Sequence, residues 1–315
     1  MIITNIEDLS SDQLHKISQF CGREVQFIAD LTDNEACNFA DVEILITYGK
    51  QVDKQFFEKC TNLKWIQVFQ SGVERIPFKE LEKRGILLTN IVGIHGIPMS
   101  EFVISTILYF TRDFPKYLAN KENKVWDRTE LVGEAYNKTV GIIGAGTIGQ
   151  EIAEKLHLLG MKVYGLNTAG VPKPYFEKMF SKDQKMDLLG QCDFVILLLP
   201  LTEQTRDYIR EAELKKMKKD SYLINIGRGP LINEKAFISA IQNKEIKGAA
   251  LDVFHEEPLP KDSKLWELEN VLITPHVAAK SVHFLDRCIE KFQIEFDRYS
   301  KNQPLHNQID LVRTY

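Results

Sequence analysis

The sequence lacks any apolar run near the ~20 residues that a bilayer-spanning helix requires. Its longest apolar stretches, Phe102–Phe110 and Phe194–Leu201, stop well short of that length, so no membrane partner is expected. Cysteine is sparse as well. Cys21, Cys37, Cys60, Cys192 and Cys288 are odd in number, scattered and never spaced as CxxC. That pattern argues against a disulfide framework and a zinc site, and fits reduced thiols in a cytoplasmic protein with no metal. The opening MIITNIEDLSSDQ lacks the basic-then-apolar order of a signal peptide. Basic excess is missing too. Acidic residues number 44 against 40 basic ones, a net charge of −4, which does not favour nucleic acid or an anionic membrane as a partner. The local cluster Lys215, Lys216, Lys218 and Lys219 reads as a solvated helix face. Internal repeats and low-complexity tracts are absent.

What is present is ordinary globular material. Of 315 residues, 44% are hydrophobic and 27% charged, which excludes disorder and suggests two domains at roughly 150 residues each. In the first hundred residues, Glu43–Thr47, Leu63–Phe69 and Ile86–Leu88 read as strands, with short helices at Gln55–Cys60 and Phe78–Arg84 between them. This alternation predicts a parallel α/β sheet. Pro98 precedes a long apolar segment, Ser100–Phe114, expected as a helix capped near Ser100. The polar stretch Lys116–Lys138 lacks periodicity and reads as a loop or wrapping segment. From Thr139 the pattern sharpens. Val140–Ile143, Lys162–Leu166, Phe194–Leu199, Tyr222–Asn225, Ala249–Val253 and Val271–Ile273 are nearly continuous apolar strands, as burial on both faces of a doubly wound sheet demands. Ile148, Ile152, Leu156 and Leu159 form one helical face that Gly160 stops, and Asn233 is placed to cap a helix over Glu234–Gln242. The tail from Ser281 to Tyr299 again reads as helix, returning to the first domain.

Gly144-Ala145-Gly146-Thr147-Ile148-Gly149 joins the first of these strands to the helix. The first Gly permits a tight turn, the second lets a pyrophosphate approach the N–H groups at the helix start, and the third lets helix pack on strand. A lone GxGxxG is weak. Here the flanking strand, helix and second strand supply the context a dinucleotide site needs. An acid usually closes that second strand and holds the adenosine ribose, but this chain has Asn167-Thr168-Ala169-Gly170. Asn167 can accept one ribose bond and donate to a phosphate oxygen, and Lys173 lies a few residues beyond. The cofactor is therefore NAD or NADP, with an expected preference no larger than roughly tenfold.

Three further motifs end apolar strands: Asn225-Ile226-Gly227-Arg228-Gly229, Ala250-Leu251-Asp252-Val253-Phe254-His255-Glu256-Glu257-Pro258, and Thr274-Pro275-His276-Val277-Ala278-Ala279. Ligands bind outside such strand ends in open α/β sheets. Together with LLLPLTEQT at Leu197–Thr205 and LKKMKKDSYLINIGRGPLIN at Leu214–Asn233, these motifs make the sequence resemble the D-isomer-specific 2-hydroxyacid dehydrogenase family along nearly its whole length. The match is looser in the first domain, through Ser71-Gly72-Val73 and Asn90–Glu101.

The resemblance implies two doubly wound parallel-sheet α/β domains. A Rossmann-type cofactor domain over about 100–280 is inserted into a flavodoxin-like substrate domain formed by 1–99 and 281–315. It implies that Arg228 binds the substrate carboxylate and polarises its carbonyl, that Glu257 pairs with the catalytic His276, and that Asp252 contacts the nicotinamide carboxamide. Backbone groups at Ser71, Gly72 and Val73 would receive the substrate carboxylate. Besides Gly144, Gly146, Thr147, Ile148, Gly149, Asn167 and Thr168, the family's cofactor positions fall on Leu199, Pro200, Thr205, Ile226, Gly227 and His276. A homodimer is implied, using the helix after Pro98 and the segment Lys116–Lys138. Departures are modest: Glu74 where an Asp is common, Asn233 for a frequent Asp, and Asn137 for the usual Gly.

The expected chemistry interconverts a small 2-keto acid, of the glyoxylate or hydroxypyruvate type, and its D-2-hydroxy acid. Hydride reaching the carbonyl carbon leaves negative charge on oxygen, which an imidazolium can quench, and a nearby carboxylate keeps that acid form available. Arg suits the substrate carboxylate because its planar fork bonds bidentately. His95, His255, Arg112 and Trp126 are expected in structural roles, and Cys192 has no basic neighbour to activate it. The rival readings are a phosphite- or formate-type oxidoreductase of the same fold, against which Glu257 argues for formate, and a non-catalytic dinucleotide-sensing binding protein.

Overall fold

Short apolar segments in this chain alternate with amphipathic ones, and most of them become strands, with β3, β4, β9 and β11 buried throughout. The computed structural model describes residues 1–311. In chain order the elements begin with β1 (Ile2–Thr4), α1 (Ser11–Cys21), β2 (Val25–Phe27), β3 (Ile44–Thr47), α2 (Lys54–Lys59), β4 (Trp65–Val68), α3 (Phe78–Arg84) and β5 (Leu87–Thr89). Next come α4 (Gly96–Thr111), α5 (Phe114–Glu122), β6 (Thr139–Ile143), α6 (Thr147–Leu158), β7 (Lys162–Leu166), β8 (Lys178–Phe180), α7 (Lys185–Leu189) and β9 (Phe194–Leu197). The chain continues through α8 (Glu211–Lys216), β10 (Tyr222–Asn225), α9 (Glu234–Gln242), β11 (Gly248–Leu251), β12 (Val271–Ile273) and α10 (Phe284–Ser300).

These elements form two compact units: Met1–Ile94 with the chain from Ser281 onward, and His95–Lys280. In the first, a parallel sheet runs β2-β1-β3-β4-β5, the flavodoxin-like order. Alternate residues serve opposite layers. Ile3, Leu45, Ile66 and Leu88 enter one core, and Ile2, Ile44, Ile46 and Trp65 the other. That second core is closed by α10, whose Phe292 ring lies 5.2 Å from the Trp65 ring.

In the second unit a parallel sheet runs β12-β11-β10-β9-β6-β7-β8. Its strand order reverses between β6 and β9, the topological switch point of a Rossmann-type sheet, with one strand added beyond β11. Val140, Ile142, Ile196 and Ile224 pack beneath α4 and α6, while Ile143, Val195, Leu197 and Leu223 pack on the other face. Asn233 caps α9 as expected, accepting the Ala236 N–H at 3.1 Å.

Two local expectations are corrected. The helix around Pro98 starts at Gly96, so Ser100 lies inside it rather than capping it. Pro98 sits in the first turn, where a missing N–H costs nothing, and the Ser100 hydroxyl instead donates to Ile97 O at 2.7 Å. The stretch Lys116–Lys138 is not all loop, because α5 occupies its start.

Candidate active site

The tip of β6 explains each glycine that follows it. Gly144 has φ of 106°, and a Cβ there would lie 2.9 Å from Leu198 C, so only glycine lets the turn pass the end of β9. A Cβ at Gly149 would lie 2.7 Å from Gly144 O, which fixes how closely α6 sits on the strand. Gly146 differs, because a Cβ there would meet nothing within 4 Å. Its bare Cα faces open space at the start of α6, where Thr147 and Ile148 form the first helical turn. Unpaired N–H groups and the positive end of the helix dipole are available there for an anion.

A cavity of about 480 Å³ opens at this point. Gly144, Gly146, Asn167, Thr168, Leu199, Pro200 and Thr205 all line it. Thr205 shapes its far wall by donating to Pro200 O at 2.6 Å. The cavity's size, its apolar walls and the glycine cradle suit a dinucleotide. Asn167 also organises the loop it belongs to. Its Oδ1 accepts the N–H groups of Ala169 at 3.2 Å and Val171 at 3.0 Å, and its Nδ2 donates to Val171 O at 2.9 Å. The side chain staples its own loop, as Asn side chains often do with local backbone. Lys173 and Lys182 also line the cavity, and no carboxylate does.

Beside the switch point, the ends of β10, β11 and β12 carry the reactive side chains. The Asn225 side chain shapes the turn after β10: its Oδ1 accepts the Gly227 N–H at 3.2 Å and its Nδ2 donates to Arg228 O at 3.0 Å. Ile226 is buried beneath this turn. Arg228 is exposed, and its guanidinium donates to Gly227 O at 2.7 Å. Gly229 then packs against the peptide between Phe254 and His255, where a Cβ would lie 2.0 Å from Phe254 C. The turn bearing Arg228 and the loop bearing Glu257 are thereby in direct backbone contact.

Glu257 uses both oxygens. Oε1 accepts the Phe254 N–H at 2.9 Å, and Oε2 lies 2.7 Å from His276 Nδ1. Burial, the largest influence, pushes its carboxyl up, but the bonds from His276 and the Phe254 N–H, with the charges of His276 and Arg228, more than offset it and hold the group below its usual 4.5. With Nδ1 held by the carboxylate, Nε2 of His276 is the nitrogen left for a substrate. The imidazole is half-exposed. It adjoins a cavity of about 540 Å³ walled by Phe254, Leu259, Trp266 and Ile273. His276 also has φ of 53°, a left-handed conformation costing a non-glycine residue on the order of 1–3 kcal/mol.

Asp252 directly follows β11. It is buried, and its carboxylate accepts from Thr274 Oγ1 at 2.7 Å and from the N–H groups of Val277 and Ala278, both at 2.9 Å. It is turned into the loop that carries His276. Asn225 and Thr274 were legible only as motif letters, and their work as turn-builders appears once the strands are aligned. His255 is structural, its Nε2 lying 2.9 Å from Ile232 O. Cys192 is buried and its thiol is pushed up to about 12 by desolvation, which ends any nucleophilic reading. In the first unit, Ser71, Gly72 and Val73 follow β4; the Ser71 hydroxyl donates to Ile91 O at 3.0 Å, and Asn90 Nδ2 donates to Ser71 O at 2.7 Å. Among the described residues, the three backbone N–H groups of Ser71–Val73 donate to no protein acceptor.

A glycine cradle at the switch point of a Rossmann-type sheet, beside an imidazole–carboxylate pair and an exposed arginine on neighbouring strand ends, defines a dinucleotide-binding α/β protein equipped for acid–base chemistry. The family model "D-isomer specific 2-hydroxyacid dehydrogenase, NAD binding domain" matches residues 104–278, and the chain belongs to that family. Among curated relatives, D-3-phosphoglycerate dehydrogenase of Methanocaldococcus jannaschii is 35% identical over 285 residues, covering 88% of this chain and 54% of the relative. Glyoxylate reductase of Thermofilum pendens is 34% identical over 254 residues, covering 78% and 75%. This chain thus spans about half the length of the first relative and about three quarters of the second. Among solved structures, a D-isomer specific 2-hydroxyacid dehydrogenase family protein from Aeromonas salmonicida superposes with a TM-score of 0.79 at 29% identity, covering 98% of each chain. The NADPH-dependent glyoxylate/hydroxypyruvate reductase of Sinorhizobium meliloti, solved with NADP and sulfate, superposes with a TM-score of 0.77 at 27% identity, covering 100% of this chain and 99% of that one.

Proposed function

We propose that this protein reduces small 2-keto acids, of the glyoxylate or hydroxypyruvate type, to 2-hydroxy acids, of D configuration where C2 is a stereocentre, with a nicotinamide dinucleotide. The observation that carries this reading is the 2.7 Å contact between His276 Nδ1 and Glu257, on a loop that touches the Arg228 turn through Gly229. The dihydronicotinamide, when bound, supplies the hydride. The protein's own groups do the rest. Arg228 grips the substrate carboxylate with two parallel N–H bonds and polarises the neighbouring carbonyl. His276 donates the Nε2 proton to the carbonyl oxygen as negative charge develops there, and takes it back in the oxidative direction. Glu257 fixes the tautomer through its contact with Nδ1. The unit His95–Lys280 is the cofactor domain, and the unit from Met1–Ile94 and Ser281 onward is the substrate domain.

Cofactor choice follows from charge. The cavity offers two lysines and no carboxylate to repel a 2′-phosphate. Solvent-screened ion pairs contribute about 0.2–1 kcal/mol each, so Lys173 and Lys182 together favour NADPH over NADH by roughly two- to thirtyfold. No helix of the described residues is long and apolar enough to cross a membrane. Five unpaired cysteines support a reducing, cytoplasmic setting. Trp126 at 90% exposure and Leu131 at 100% support the homodimer, because exposed apolar groups of this size mark interfaces. Light scattering of Trp126→Glu, expected to be monomeric against a dimeric wild type, tests that point; a monomeric wild type refutes it.

The functional reading is tested by a panel of glyoxylate, hydroxypyruvate, pyruvate and branched 2-keto acids with NADH and NADPH, with phosphite in the oxidative direction. Turnover of a keto acid, faster with NADPH, is expected. Turnover of phosphite alone refutes the reading in favour of the phosphite alternative, and dinucleotide binding without any turnover refutes it in favour of a sensor.

A further inference from the structure

The loop after β12 carries His276, and no further strand of this unit follows to hold its far side. The near side is fixed by Asp252, which accepts the N–H groups of His276, Val277 and Ala278. The Lys280 N–H closes a turn on Val277 O at 2.9 Å, and after Lys280 the chain leaves the unit. The far side is met by His95, the first residue of the unit and the one that precedes α4. Its half-buried imidazole donates to the Ala279 backbone carbonyl. Burial, the larger influence, pushes the His95 pKa below the usual 6.5, and the Ala279 bond opposes it in part. At neutral pH the ring is therefore uncharged, and a single N–H makes this bond.

His95 is itself well anchored. Its carbonyl accepts the Met99 N–H at 3.1 Å, the first bond of α4. A Cβ on Gly96 would lie 3.1 Å from Glu151 Cγ of α6, and the Ser100 hydroxyl accepts from Lys155 of α6 at 2.6 Å. The start of α4 thus rests on α6, the helix that begins at the glycine cradle. Ala278 packs with Met99 and Val103 of α4, but apolar packing has no direction. The hydrogen bond from His95 supplies the direction. We infer that His95 is a positioning residue: its imidazole pins Ala279 and so fixes where the loop presents His276 to Glu257. This rests on the proposed role of His276 as the proton donor. Ala279 lies three residues from His276, so slack at one is felt at the other. A misplacement on the order of 1 Å is enough to cost roughly a hundredfold in rate.

The test is His95→Phe, which keeps a planar ring without an N–H, beside His95→Gln and His95→Asn, which place an amide N–H at the reach of Nε2 and Nδ1. In His95→Phe, kcat falls roughly 10- to 100-fold while KM for the keto acid changes by less than about threefold, because the Arg228 turn is untouched. One of the two amide variants returns kcat to within about threefold of wild type. In the His276→Ala background, adding His95→Phe costs less than about twofold more, because residues acting through one another are non-additive. Multiplying losses, a wild-type kcat in folded His95→Phe, or no recovery in either amide variant overturns the assignment. His95→Leu, with the same expected results, serves if His95→Phe does not fold. A readout independent of turnover separates this idea from the functional reading. Hydrogen exchange of the peptide spanning 274–281 should speed up at least about tenfold in His95→Phe, while the peptide spanning β9 keeps its wild-type rate. Unchanged exchange in the loop, or equal acceleration in both peptides, overturns the assignment, whereas a wild type that reduces no keto acid refutes only the proposed function.

Discussion

Gly229 is where one methyl group should separate folding from catalysis. A Cβ at this position would lie 2.0 Å from Phe254 C and 2.1 Å from Phe254 O, against ordinary contact at 3.4 Å or more. Both neighbours are backbone, so no side chain can swing aside, and the strands have to part by about 1.4 Å. The loop that would move carries Phe254, whose N–H binds Glu257, and hence the 2.7 Å bond to His276. Overpacking of this kind costs about 1–3 kcal/mol, or on the order of 2–4 °C in Tm per kcal/mol for a unit of this size. The displaced Glu257–His276 pair costs roughly a further hundredfold in kcat. Gly229→Ala should therefore melt several degrees low and reduce keto acids about a hundredfold more slowly. Gly146→Ala is the control, because its Cβ meets no protein atom within 4 Å. It should leave Tm unchanged and weaken NADPH binding at least tenfold, since the methyl occupies the space a pyrophosphate needs. Melting curves, kcat and fluorescence titrations of the two proteins decide the matter. A Gly229→Ala protein with wild-type kcat and Tm would refute the contact, and a Gly146→Ala protein with full NADPH affinity would refute the cradle.

Arg228→Lys keeps the charge but loses the planar fork, so kcat/KM for keto acids should fall by about 2–4 kcal/mol, in line with removal of an oxyanion donor; a loss under threefold in folded protein speaks against carboxylate binding. Because the Glu257 carboxyl is held below its usual 4.5, its stabilising pair is present above that pH and is lost as pH falls below it. Denaturant melts of wild type and Glu257→Gln should therefore converge below pH 4.5. Melts that stay equally far apart into acid contradict the pairing. Burial pushes the thiols of Cys21, Cys60, Cys192 and Cys288 up to about 12, so native protein at neutral pH should react with a thiol reagent at Cys37 first, and rapid labelling of the other four would show that their cores open.

The second unit was largely legible in the sequence because its strands are buried on both faces and so appear as unbroken apolar runs. Lys162–Leu166, Tyr222–Asn225 and Val271–Ile273 have the same bounds in sequence and structure. The short strands β2 and β8, VQF and KMF, each carry a polar residue that breaks the apolar run, and α5 has no buried residue to mark a face. The site divided in the same way. Glycines and reactive side chains declare themselves by type, so Gly144, Arg228, Glu257 and His276 could be named from the sequence alone. Which way a side chain turns depends on donors elsewhere in the chain. Asn167 turned to its own loop, and Asp252 to Thr274, Val277 and Ala278. A sharper signal for Asp252 was available, because an acid at a buried strand end needs donors, and the neighbouring strand ends in Thr274 followed by free loop amides.

The most direct test of the central claim follows the hydride and the product's handedness together. Hydroxypyruvate is reduced with NADPH deuterated at the transferable position of the nicotinamide, and the product is resolved by chiral chromatography and mass spectrometry. The predicted result is a D-2-hydroxy acid carrying one deuterium on C2, formed by wild type and almost absent with His276→Ala. An L product, a product without deuterium at C2, or full activity in His276→Ala would contradict it.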